Sequence, residues 1–115
     1  MKLMMHVLKS NPGLKLDNEK ITFDEILDKL KEEYNEVVEA TDDYSKQRTL
    51  STLKEVIRET FDLCQVCILM LWKCHRKAIT FDEPKLIQDL NIEHKDKLAS
   101  RGWIFKTGIE IDVKE

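Results

Sequence analysis

The chain has 115 residues, with 22 Asp and Glu against 19 Lys and Arg and a formal net charge of −3. This length fits a single domain, residues 1–115 with a core over about 22–103, and helical cores this small are often completed by oligomerisation. The near balance of charge argues against a nucleic-acid backbone or an acidic membrane as the main partner.

The first residues, "MKLMMHVLKSNPG", hold a six-residue apolar run behind one lysine. That run is too short for a secretory segment, and no small-residue cleavage site follows. The longest apolar stretch, "VCILMLW" at residues 66–72, falls far below a membrane span. Three cysteines, an odd number without a leader, fit free thiols in a reducing compartment, so a cytoplasmic location is expected.

Gly and Pro together number five, and long stretches lack both, which predicts an all-α chain. The segment "ITFDE" occurs at residues 21–25 and again at 79–83. Each copy reads as a helix-starting capping box, with Thr22 or Thr80 as N-cap and Glu25 or Glu83 three residues on. Five shared residues are explained by shared cap chemistry without a duplication.

A first helix is predicted over about residues 23–44, with Ile26, Leu30, Tyr34, Val37 and Val38 as its buried stripe. "TDDYSKQR" is the connector, and a second helix runs from about residue 49 to about 75. Its later half is apolar on nearly all sides, which predicts a central helix wrapped by others. A third helix is expected from Thr80, with Pro84 in its first turn and Leu86, Ile87 and Leu90 facing inward. A short fourth helix over "EHKDKLASRG" should end at Gly102. The alternation in "WIFKTGIEIDV" around Thr107 and Gly108 predicts a small C-terminal β-hairpin.

Two places contradict this amphipathic plan. At 100° per residue, with Glu33 at zero, the apolar residues of the first helix span an arc from about −20° to about 140°. Glu33 lies inside that arc and Glu36 at its edge, at about −60°. Glu32 and Glu39 fall outside it. The second helix repeats the arrangement with Glu59 and Asp62, again three residues apart. An unpaired buried carboxylate costs several kcal/mol, so two such pairs on neighbouring helices call for a shared cause.

A divalent cation is one. Carboxylate oxygens are hard ligands, suited to Mg²⁺, with Mn²⁺ or Ca²⁺ as substitutes. No histidine stands at the spacing that a di-iron bundle demands. The alternative is neutralisation by Arg58, Lys54 or Lys29 as ion pairs.

"EEYNE" at residues 32–36, followed after twenty-two residues by "ETFD" at 59–62, resembles the E-E-x-x-E … E-x-x-D signature of MazG-type nucleotide pyrophosphohydrolases. These belong to the all-α NTP pyrophosphatase superfamily. "HKDKLASRGW" at residues 94–103 is similar to the segment that follows the core in phage and bacterial MazG-like proteins. The resemblance implies a helical bundle completed by a homodimer or tetramer. It also implies Mg²⁺-dependent hydrolysis of a nucleoside triphosphate, ribo or deoxy, to the monophosphate and pyrophosphate. By motif position, Glu33, Glu36, Glu59 and Asp62 would be catalytic metal ligands, and Lys97 and Arg101 would contact the substrate phosphates. Glu32, the motif's first acid, would orient a ligand or water, or simply be solvated. Alternatives are a relative acting on another phosphoanhydride, such as phosphoribosyl-ATP, or a helical interaction protein without catalysis.

Other signals read more simply. Nothing before the first acidic pair matches a base-recognition motif, and Trp72, Tyr34, Phe23 and Trp103 are expected in the core rather than against a base. Cys64, Cys67, Cys74 and His75 invite a zinc site, but Cys67 and Cys74 lie about 10 Å apart along one helix. Buried structural thiols are expected instead. In "KCHRK", residues 73–77, basic residues offset the dipole of a helix end.

Overall fold

The computed structural model describes residues 1–114. Its elements, in chain order, are strands β1 (Ser10–Asn11) and β2 (Leu16–Asp17) and helices α1 (Phe23–Lys46), α2 (Leu50–Thr80) and α3 (Leu86–Ser100), with a single 3-10 turn at Pro12–Leu14. The chain is mostly helical, with one two-stranded antiparallel hairpin among the described residues. No helix among these residues is long and apolar enough to cross a membrane.

α1 starts where its cap chemistry directs. The Glu25 N–H donates to Thr22 Oγ1 at 3.1 Å, and the Thr22 hydroxyl donates to Glu25 Oε1 at 3.1 Å. Ile21 and Ile26 flank that cap and share one buried cluster with Val66 and Leu69, a hydrophobic staple tied into the core. α2 opens on Thr49, whose side chain accepts from the Thr52 N–H while Thr52 Oγ1 accepts from the Thr49 N–H. The three-residue connection between the helices enforces an antiparallel pair, and α1 packs along α2.

The second "ITFDE" does not start a helix. Nothing between His75 and Thr80 breaks the helical run, so α2 continues through it. Thr80 becomes its last residue, its hydroxyl donating back to the Lys77 carbonyl at 2.6 Å. Asp82 then turns left-handed at φ 60°, which a short polar side chain tolerates. Pro84 keeps the residue before it out of the helical region, so α3 begins at Leu86 rather than near Thr80. The expected third and fourth helices are one, because residues 86–100 contain neither Gly nor Pro. Gly102 closes α3 as expected, at φ +87°. Its N–H donates to the Ala99 carbonyl and that of Trp103 to Leu98, both at 3.1 Å, the double bond pattern of a Schellman end.

The hairpin is at the other end of the chain from its expected place. Asn11 Oδ1 accepts from the Leu14 N–H, Pro12 presets the turn, and Lys15 adopts φ 55°, bringing Ser10 opposite Asp17 and Asn11 opposite Leu16. Arg76 holds this segment against α2, donating to the carbonyls of Glu19 at 3.0 Å and Asn18 at 3.1 Å. Gln65 donates to the His6 carbonyl at 2.7 Å. "KCHRK" therefore serves more than a helix end: Arg76 is a clamp, and Lys73 lies 4.9 Å from the centre of the Phe23 ring. Residues 103–114 form no strand. A two-residue turn on Thr107 and Gly108 would set Phe105 across from Glu110 and Ile104 across from Ile111, mixing apolar and polar residues on each face.

The core is small. Ile21, Ile26, Val66 and Leu69 form it, with Leu30 and Met70 packed against it. Tyr34 and Val38, expected inside, are exposed, and so are Phe23 and Trp103. Cys64 and Cys67 are exposed and Cys74 is half-buried, so the thiols do not form the expected buried set. The accessible surface is 9997 Å², about half as much again as the roughly 6,600 Å² of a compact chain of this mass. The radius of gyration, 16.8 Å, likewise exceeds the about 13 Å of a compact domain. Ile26, fully buried, should be the most sensitive position. Ile26→Ala is expected to lose about 2–5 kcal/mol in urea unfolding, whereas Val38→Ala, at a half-exposed site, should lose less than about 1 kcal/mol.

Candidate metal centre

The antiparallel seam that builds the core also builds an acidic site. Ile26 meets Leu69 in the apolar layer. About two turns further along α1, toward the α1–α2 connection, stand Glu33 and Glu36, and Glu59 and Asp62 come down α2 to meet them. Each of the four offers one carboxylate oxygen, and these four atoms lie within 4.8 Å of one another. The two i, i+3 pairs therefore converge as the helical wheel predicts.

Glu33, Glu36 and Glu59 are half-buried, and Asp62, exposed, is the open side of the cluster. Glu33 Oε2 and Glu59 Oε2 are buried atoms with no hydrogen-bond partner. Buried acceptors in a folded chain rarely go unpaired, so two orphaned oxygens on residues of one cluster are informative.

The electrostatics are one-sided. Burial first, then a hydrogen bond shared with Glu36, then repulsion from Glu36, Asp62 and Glu32 push the Glu33 carboxyl up to about 7. Glu59 is raised by a hydrogen bond shared with Glu36, then by burial, then by repulsion from Glu36, Asp62 and Glu55. Every charge acting on these two groups is another carboxylate. The basic residues that would neutralise the site do not do so: Arg58 pairs with Glu55 at 3.5 Å, and Lys29 and Lys54 form no ion pair among the described residues. Glu32 is exposed and outside the four-atom cluster, acting on Glu33 only through its charge.

A hard divalent cation fits this donor set. Carboxylate oxygens only, converging from two helices, with unpaired acceptors and no lysine or arginine in place, match the chemistry of such a site. Lys97 lies in the last turn of α3 and Arg101 caps its end. Both are exposed, and no ion pair joins either to the acidic quartet among the described residues. The structure thus assembles the four acids and leaves the two cations apart on another helix. Sequence reasoning missed Gln65 and Arg76, which anchor the N-terminal segment beside the site helix. Gln65 stands as a lone polar residue in the most apolar part of α2, which was the available signal, whereas Arg76 lies within a basic run that does not single it out.

The raised carboxyls fix a pH dependence. A group whose pKa rises on folding stabilises the fold while protonated, and that contribution is lost as pH rises from the unfolded value toward the folded one. Metal-free protein should therefore lose thermal stability between about pH 4.5 and about pH 7. Glu33→Gln should flatten that loss and stabilise the metal-free chain at pH 7.5 by about 1 kcal/mol after solvent screening, read as melting temperature against pH. No protein-family model, curated protein or solved structure matches the chain, so the centre is interpreted from its own geometry.

Proposed function

We propose that the chain is a Mg²⁺-dependent nucleoside triphosphate pyrophosphohydrolase, with Mn²⁺ as a competent substitute, of the MazG-like kind that its acidic motifs resemble. The observation that carries this is the convergence of Glu33, Glu36, Glu59 and Asp62 within 4.8 Å with no cation of the chain to balance them. Mg²⁺ is favoured over softer ions because every donor is a carboxylate oxygen, with neither thiolate nor imidazole in the cluster.

These four residues would hold the ion. When bound, it supplies charge neutralisation of the phosphate oxygens and a lowered pKa for a coordinated water. The chain supplies the rest. Each carboxylate would commit one oxygen to the ion, and the second oxygen of Glu33 would be free to take the proton of the attacking water. Asp62, on the open side, faces the direction from which a triphosphate enters. Lys97 and Arg101, one helical turn apart, bring positive charge to the departing pyrophosphate, which requires α3 and the acidic cluster to be brought together around the substrate.

The working unit is a homodimer, or a tetramer built from two dimers. α2 carries its acids on one side and, about 120–200° around the helix from Glu59, an exposed apolar stripe of Leu50, Leu53, Ile57, Phe61 and Leu71. A second copy would bury that stripe and complete a helical bundle. The same exposed stripe favours the rival reading, a helical interaction protein without catalysis, and metal separates the two.

The decisive assay is pyrophosphate release from a panel of ribo- and deoxynucleoside triphosphates, with Mg²⁺ or with EDTA. Wild type should release pyrophosphate only with the metal, and Glu59→Gln should lower the rate at least about 10³-fold. A folded protein that releases none from any nucleotide would sink the hydrolase reading. Mg²⁺ at a hundred times its Kd should stabilise the wild type by about 2.7 kcal/mol and should not stabilise Asp62→Asn. An interaction protein would show no such response. For the assembly, Ile57→Asp should shift sedimentation to the monomer, whereas an unchanged oligomer would remove the α2 stripe from the interface.

A further inference from the structure

The C-terminal segment poses a problem that neither the helices nor the acidic centre resolves. In residues 103–113 every odd position except Thr107 is large and apolar: Trp103, Phe105, Ile109, Ile111 and Val113. Apart from Ile104, the even positions of 104–114 are charged or glycine. With Ile104 and Thr107 as its two exceptions, this period of two is that of a strand with one face to bury. Yet the segment runs without a strand partner. Beyond Trp103, no backbone hydrogen bond of residues 104–114 exists among the described residues, and its apolar face is exposed, Ile109 at 86% and Ile111 at 73%. A long amphipathic strand with both edges open is a template for pairing with another chain.

We propose that residues 103–113 pair antiparallel with the same segment of a second copy of this chain, across a two-fold axis at Gly108. The alternation and the charges select this register. Centring on Gly108 sets Lys106 opposite Glu110 twice, once on each side of the axis. It also sets Phe105 opposite Ile111 and Trp103 opposite Val113, aromatic against β-branched, the favoured cross-strand pairings. All the odd residues then share one face, which a two-residue turn within a single chain does not allow. A two-fold axis makes the contact self-complementary and closed on itself. The pairing also places part of the chain's excess surface against a partner of matching pattern.

The test is disulfide trapping in the full-length chain with Cys64, Cys67 and Cys74 replaced by serine. At the axis, residue 108 faces its own counterpart at about 4.5–5.5 Å between Cα atoms, within disulfide reach. A Cβ at Gly108 meets nothing within 4 Å, so Gly108→Cys leaves the fold undisturbed. Under oxidised glutathione it should form roughly tenfold more linked dimer than Ile104→Cys, whose counterparts would stand about 27 Å apart in this register. Equal linkage at both positions, or none from folded Gly108→Cys, overturns the proposal. Amide exchange of the wild type gives an independent reading. Alternate amides of residues 104–112 should gain protection as protein concentration rises. Protection that persists at concentrations where sedimentation shows only monomer would mean a pairing within one chain and would overturn the proposal equally. Neither measurement depends on Mg²⁺ or on hydrolysis, so failure here leaves the acidic centre's reading untouched.

Discussion

Mutual repulsion among four carboxylates in the α1–α2 seam is the constraint around which the rest of the molecule is arranged. Two unit charges 4 Å apart at an effective dielectric of 20 repel by about 4 kcal/mol, and here four acids converge within 4.8 Å. The fold meets this in one of two ways. Without a cation, Glu33 and Glu59 retain protons above the usual carboxylate range. With one, the charge is balanced by the ion and the orphaned oxygens gain a partner. Both routes leave the seam intact, because its apolar half, Ile26 with Val66 and Leu69, lies about two turns away and is not disturbed by the ionisation of the other half.

That separation of a dry end from an acidic end explains why so small a core suffices to position the site. Ile21 and Thr22 fix the start of α1, and the two threonines at positions 49 and 52 fix the start of α2. The acids stand between these two ends, roughly midway along α1 and a third of the way along α2. Arg76 and Gln65 add a second restraint by tying the N-terminal segment across α2. The site is thus held by helix geometry, which leaves Glu33 Oε2 and Glu59 Oε2 without a partner.

Much of this was legible in residue order, and the misses have definite causes. The acids were found because a helix has a fixed angle per residue, so Glu33 and Glu36 could be placed on the apolar arc before any fold was known. The start of α1 was legible because Thr22 and Glu25 make a local motif. The same letters at residues 79–83 misled because a cap motif acts only where a helix is free to begin, and α2 was still running. The N-terminal hairpin had its signal in Asn11-Pro12-Gly13, a turn sequence, but its strands are too short to show alternation. Tyr34 and Val38 were assigned to the core because their spacing fits a stripe. Spacing identifies a face, and only packing decides whether another element covers it.

The exposed stripe of α2 and the acidic pair on its opposite side belong to one rigid rod of 31 residues. A helix has little freedom to bend without a proline, a glycine pair or a bulge, and α2 contains no Gly or Pro. Whatever covers Leu53, Ile57 and Phe61 therefore also fixes the backbone that presents Glu59 and Asp62. α1 has no such second restraint along its outer side, where Tyr34 and Val38 meet solvent. The spacing between the two carboxylate pairs is consequently set by how firmly α1 sits on α2. Any assembly on the α2 stripe would stiffen one wall of the acidic cluster and leave the other wall free to adjust its spacing.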